Sequence, residues 1–214
     1  MIIGHLREET SFYRLKQLRN RYDICIITAA EHNVSSKENI NRLDALKSEL
    51  MAKDYAFVKT RGSLISNFFE AIKSLERGNV SLEKFFKDDM LIEKNFIVIN
   101  QKEKRSVSTF YKDMENFGFK YNQDFFIMMA AGDEQSMFVI DLTQRDAKFW
   151  YLQNIDLEKA QVHLHTDKNK VAFNYYKEDS FIIDKNPERL EEAEIEFKSR
   201  FLVDIPCVGI IKRA

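Results

Sequence analysis

Three sets of residues in this 214-residue chain are of types that do chemistry. The first is the run from Val162 to Asp167. Read as a strand, it puts His163, His165 and Asp167 on one side, a set of three candidate metal ligands. A dinuclear hydrolytic centre would need a further histidine where Lys168 stands, and the chain has only four His, the others being His5 and His32. The plainer reading is a polar strand face beside solvent. The second set is Glu194 and Lys198, a carboxylate and an amine of the kind metal-dependent nucleases use. Their spacing on a helix also makes an ordinary four-residue surface pair, which is the simpler account. The third set is polar residues where strands end or helices begin: Thr28, Glu38, Asn39, Arg42, Arg61, Gly62, Glu93 and Gln123. Arg42 and Arg61 together form a small anion-recognising pocket in this reading, with Gln123 as an orienting amide and Thr28, Asn39, Gly62 and Glu93 around them. The alternative is a buried polar network that pins loops.

Those residues need elements to position them. Tyr22 to Ala30 contains Ile24-Cys25-Ile26-Ile27, apolar on both faces, as a strand covered on both sides would be. Ile40, Leu43, Leu46 and Leu50 recur at helical spacing after Ser35, and Glu38 completes a capping box. Strands are expected over 55–66, with a turn or bulge at Gly62, and around Phe96 to Ile99. A helix follows, ending near Gly118 in a left-handed cap. A strand at 123–132 turns at Gly132 into a hairpin partner at 136–142. Residues 67–89 read as a helical insertion. After Asp146 come short strand candidates, then a helix with Asn186 as cap and Pro187 at its first position, then a last strand. The whole is an α+β fold. Its core, 22–145, is a split β-α-β (ferredoxin-like) antiparallel sheet with helices on one face. Residues 1–21 add an N-terminal basic helix, and 146–214 a β-rich C-terminal extension with a helix at 187–201.

Composition narrows the classes. Lys+Arg is 33 against Asp+Glu 34, so the net charge of -1 gives no global drive toward nucleic acid or acidic membrane. Two Cys exclude a disulfide framework and a Cys-rich zinc site. Six Gly, none paired at the required spacing, exclude a phosphate loop. No apolar run approaches the roughly 20 residues that span a bilayer, so no membrane partner is expected. No cofactor is implied. A basic arm at 5–21 with aromatic strand residues such as Phe173, Tyr175 and Tyr176 would make a nucleic-acid-binding module. A solvated edge helix and core aromatics are the plainer account.

The motif series is Ile27-Thr28-Ala29-Ala30-Glu31, Glu38-Asn39-Ile40-Asn41-Arg42, the strand ending at Arg61-Gly62, Glu93-Lys94-Asn95-Phe96, and Lys120-Tyr121-Asn122-Gln123-Asp124. In order and spacing it resembles a family of small uncharacterised proteins of tailed bacteriophages and some bacteria. The likeness covers roughly residues 22–145. Asn95 and Phe125 stand where the family pattern has Ser. The resemblance implies a phage-type accessory or virion-associated protein. Together with the balanced charge and the lack of a complete catalytic set, it leads to the expectation of a non-enzymatic protein that binds a host or phage (virion) protein, in the host cytoplasm or the virion. A nucleotide- or nucleic-acid-directed enzyme or sequestering protein using Arg42 and Arg61 is the alternative.

Overall fold

The computed structural model describes residues 17–31, 33–62, 69, 72–73, 76–77, 93–133, 136–153, 161–165, 170–173 and 181–213. Strand β1 (Ile24–Ile27) is buried at all four positions. Helix α1 (Ser36–Ala52) starts where Ser35 accepts a hydrogen bond from the Glu38 amide, and it buries Leu43, Leu46 and Leu50. These are the capping and the apolar stripe that the sequence spells out. Strands β2 (Ala56–Gly62) and β3 (Glu93–Ile99) follow, then helix α2 (Val107–Lys120), capped by Ser106. The hairpin β4 (Phe125–Met129) and β5 (Met137–Asp141) continues into β6 (Lys148–Leu152). Short strands β7 (Gln161–His165), β8 (Lys170–Phe173) and β9 (Phe181–Asp184) precede helix α3 (Pro187–Phe201) and β10 (Cys207–Arg213).

All ten strands join one sheet in the order β8-β7-β2-β3-β1-β4-β5-β6-β10-β9. The fold is mixed α+β, with a mostly antiparallel sheet. Among the described residues β6 and β10 form the parallel pair. In the centre, β3 lies between β2 and β1, and β1 lies between β3 and β4, every neighbour antiparallel. Each of the first two helices therefore joins two strands that run in the same direction with a third strand between them.

One face of the sheet carries the main core. Cys25 and Ile27 of β1, Phe96 and Val98 of β3, and Phe126 and Met128 of β4 meet the buried sides of α1 and α2 there. Helix α3 completes the layer. Its Phe197 stacks on Phe149 at 4.5 Å between ring centres and meets Tyr111 of α2 edge-on at 5.8 Å. Full burial of such side chains contributes about 1.5–3 kcal/mol each, so this aromatic cluster anchors α3 firmly.

The other face is buried too, at Ile24, Ile26, Ile97, Ile99, Val139 and Trp150. Strand β1 is thus covered on both sides, as its run of residues apolar on both faces leads one to expect, while α1 and α2 share the first face. The described residues of the 67–89 insertion are partly helical and touch the opposite side. Phe69 meets Phe125 edge-on at 6.0 Å, Ile72 is buried, and Glu76 pairs with Lys185. Most of that insertion lies outside the described residues, as does the basic arm before residue 17.

Four expectations are corrected. Gly118 is not a helix terminus, since α2 runs on to Lys120 and the left-handed residue is Asn122 at φ 50. Gly118 is needed for close approach: a Cβ there would lie 2.3 Å from Leu142 Cδ1. Gly62 neither turns nor bulges but sits in regular register opposite Glu93. Glu194 and Lys198 do not pair. Glu194 accepts from the Cys207 amide at 2.8 Å, and Lys198 pairs with Asp204 at 2.6 Å. Arg19, assigned to a solvated basic helix, is 2% exposed, and its guanidinium donates to the Ser136 carbonyl.

Candidate functional site

The polar residues of the motif series converge on the loop that leaves β1. Thr28 Oγ1 donates to the Lys94 carbonyl at 2.8 Å and accepts from the Ala30 amide at 3.0 Å, which ties the end of β1 to the start of β3. The next three carbonyls are each taken by a different side chain. Arg42 Nε donates to Ala29 at 2.8 Å, Gln123 Nε2 to Ala30 at 3.0 Å, and Asn39 Nδ2 to Glu31 at 2.9 Å. Asn39 Oδ1 also accepts from the Glu31 amide at 2.8 Å, so its side chain pairs with that residue as a neighbouring strand would.

Arg42 reaches further. Its Nη2 donates to the Tyr121 carbonyl at 2.6 Å and lies 3.0 Å from Glu31 Oε2. Gln123 Nε2 donates to the same Tyr121 carbonyl at 2.8 Å. One arginine and one amide thus join the β1–α1 loop to the α2–β4 turn. Helix α1 presents Asn39 and Arg42 three residues apart on the side facing that loop. The turn after α2 presents Gln123 because Asn122 takes the left-handed conformation just before it. One cation, Arg42, and two side-chain amides, Asn39 and Gln123, are spent on backbone oxygen, which fixes the loop in one conformation.

The other members of the expected pocket lie elsewhere. Arg61 and Gly62 end β2, which is separated from β1 by β3. The register puts Arg61 opposite Lys94 and His165, and Gly62 opposite Glu93 and Leu164. Thr28, Asn39, Arg42 and Gln123 are therefore brought together, while Arg61, Gly62 and Glu93 occupy the ladder on the far side of Lys94. His163 and His165 belong to β7, and Asp167 lies outside the described residues, as do Tyr175 and Tyr176. Among the described residues no group of three or more His, Cys, Asp or Glu is placed to hold a metal ion.

A second polar network, at the opposite end of β1, has no counterpart in the sequence reading. Asp23 is 3% exposed. Its carboxylate accepts from the Ala131 amide at 3.0 Å and from Asn100 Nδ2 at 3.3 Å, and Lys102 approaches to 3.9 Å. The Gly132 amide donates to the Arg19 carbonyl at 3.0 Å, so the segment before β1 clasps the β4–β5 hairpin. Beyond it, Ser136 Oγ and the Tyr151 hydroxyl are 3.0 Å apart, and Tyr151 donates to Glu196 at 2.9 Å. Burial, with Glu196 close by, pushes the Tyr151 phenol well above its ordinary range. The one signal for this network in the sequence was a charged residue, Asp23, directly before an all-apolar strand.

Tyrosine–carboxylate bonds also clip α1 to α2. Tyr55 donates to Asp113 at 2.6 Å under the Arg105 guanidinium, which stacks 3.6 Å from its ring centre. Tyr121 donates to Glu49, which Lys120 also meets at 2.9 Å. Burial raises the Glu49 carboxyl, but the Tyr121 and Lys120 bonds outweigh it and leave the group below its ordinary value. Neither cysteine is activated. Burial raises Cys25 well above its ordinary value and pushes Cys207 up to about 12, so both stay thiols at neutral pH.

No family model, curated protein or solved structure matches the chain. Among the described residues no helix is long and apolar enough to cross a membrane.

Proposed function

We propose that this chain is a phage-type accessory protein that binds a host or virion component and turns over no substrate, acting in the host cytoplasm or the virion. One observation carries the reading. Thr28, Asn39, Arg42 and Gln123, the polar members of the motif series that meet in space, all hold backbone groups of one loop and its neighbours. To serve as a phosphate ligand, Arg42 would have to give up carbonyl and carboxylate partners that it already has. A loop held this tightly is suited to recognition, because its shape is set before a partner arrives.

The same reading takes residues 22–145 as a split β-α-β, ferredoxin-like core. The order β2-β3-β1-β4 with α1 and α2 on one face supports it. Incubating the purified chain with nucleotides and with single- and double-stranded nucleic acids tests the functional half. The expected result is no turnover. Turnover that disappears in Arg42→Ala would replace the binding role with the enzymatic one.

A further inference from the structure

Helix α3 turns Ala193, Phe197 and Phe201 to the core. Its opposite side carries Glu188, Glu192, Ile195 and Leu202, all exposed. Among the described residues, the two most exposed large apolar side chains are Leu202 at 64% and Ile195 at 63%. Both belong to the outer side of this one helix. Its 15 residues make it about 22 Å long, enough for a second helix to lie along it for several turns. Leu202 is unfavourable twice over in the isolated chain. It ends α3 in the left-handed conformation, at φ 55, where glycine or asparagine is favoured. It also leaves most of a large apolar side chain in water.

The charges beside Ile195 are placed symmetrically. Glu192 lies three residues before it and Lys198 three residues after it. On a helix those positions are about 60° to either side of Ile195 and about 4.5 Å along the axis in either direction. A two-fold axis through Ile195 converts the one position into the other. It sets Ile195 against its own copy and Glu192 of each copy against Lys198 of the other. By the same symmetry Leu202, seven residues on, falls over the first helical turn of the other copy at Glu188. A foreign helix has no need of this spacing, whereas a self-complementary surface requires it. Each charge already has an exposed partner in its own chain, Glu192 with Arg189 at 3.0 Å and Lys198 with Asp204 at 2.6 Å. Surface pairs of this kind contribute little. They also leave a second carboxylate oxygen and two ammonium hydrogens for another bond.

We infer that the outer face of α3 is a self-association surface, on which two copies of the chain pair their α3 helices antiparallel about a two-fold axis through Ile195. The contact takes Ile195 and Leu202 out of water and matches opposite charges on both sides of the axis. One helix pair is small for a protein interface, so the dimer is weak and forms with rising concentration. The inference does not rest on the binding role proposed above.

Sedimentation equilibrium of the full chain between about 1 μM and about 1 mM tests it, with a monomer–dimer equilibrium as the expected result. Ile195→Glu is expected to weaken dimerisation by about tenfold or more, with the circular dichroism unchanged. Glu192→Lys and Lys198→Glu are each expected to stay monomeric where the parent chain dimerises. Their equimolar mixture should dimerise again, because each variant supplies the charge that the other lacks. Ile195→Cys should link to its own copy through a disulfide when copper–phenanthroline is added as oxidant, whereas Asn116→Cys, exposed on α2, should not. Cys25 and Cys207 are buried and stay out of that reaction. A chain that is monomeric over the whole range would overturn the inference. So would a dimer that Ile195→Glu leaves intact, or a mixture of the two charge variants that stays as monomeric as its components.

Discussion

Arg42 is held by three acceptors from two segments: the Ala29 carbonyl and the Glu31 carboxylate of the β1–α1 loop, and the Tyr121 carbonyl of the α2–β4 turn. Hydrogen bonds to a charged group contribute about 1.5–3 kcal/mol each in net terms when a partner is left unsatisfied. Arg42→Ala is expected to lower the unfolding free energy by about 2–3 kcal/mol in urea titrations, since Gln123 still serves Tyr121. Arg42→Lys should recover only part of it, because a single ammonium cannot reach three separated acceptors. Glu115 makes the opposite prediction. Burial raises its carboxyl above the ordinary value, against the lowering effect of the Tyr111 hydroxyl and Lys112. The folded state therefore holds this proton more tightly than the unfolded chain does. Its stabilising contribution is complete below the unfolded value near 4.3 and is lost as pH rises through the folded value. Glu115→Gln should melt above the parent at pH 7, and the gap should close at acid pH. A gap that does not change with pH would rule out titration of Glu115 as its origin. Arg42, Asn39 and Gln123 were legible as a polar cluster from type and position. That they bind carbonyls rather than an anion was not, because the same donors serve either acceptor and only the loop path decides which is within reach.

At the scale of elements, local chemistry and tertiary contact part company. Ser35, Ser106 and Asn186 cap α1, α2 and α3 through their own side chains, and the first and last were readable directly. Gly118 was misread as a cap because glycine favours both left-handed backbone and tight packing, and a sequence does not distinguish the two. The contact with Leu142 identifies it as a packing glycine. Gly209 is a clearer instance. A Cβ there would lie 2.7 Å from the ring of Trp150, whose bulk cannot turn aside in a packed layer. Gly209→Ala is expected to cost about 1–3 kcal/mol. Trp150 is the single tryptophan, so its emission should shift in the variant. Unchanged emission and melting would mean that the strand accommodates a methyl group there.

Over the whole molecule, residues 146–214 are not an appendage. They extend the sheet at both edges, with β7 and β8 beside β2, and β10 and β9 beside β6. Helix α3 inserts Phe197 and Phe201 against Phe138, which lies in the core half of the chain. Truncation after residue 180 would remove α3 and β10, expose this aromatic surface and leave the β6 edge open to other chains. The truncated chain is expected to aggregate, whereas the full chain should unfold in one transition seen equally by Trp150 emission and far-ultraviolet circular dichroism. Two separate transitions would mean that the halves fold independently.

The strands, the helices, the caps at Ser35 and Asn186 and the two-sided burial of β1 were all legible in the residue order, because each depends on periodicity or on residues a few positions apart. The residue order also determined the α+β class, through the alternation of those elements. Folding alone set the division of the extension between two sheet edges, the inward turn of Arg42 to carbonyls, and the register that puts Arg61 of β2 opposite Lys94 of β3 and His165 of β7. Those facts depend on pairing between strands far apart in the chain. A register shift of a single residue would move each partner to the other face, and no local pattern records that choice.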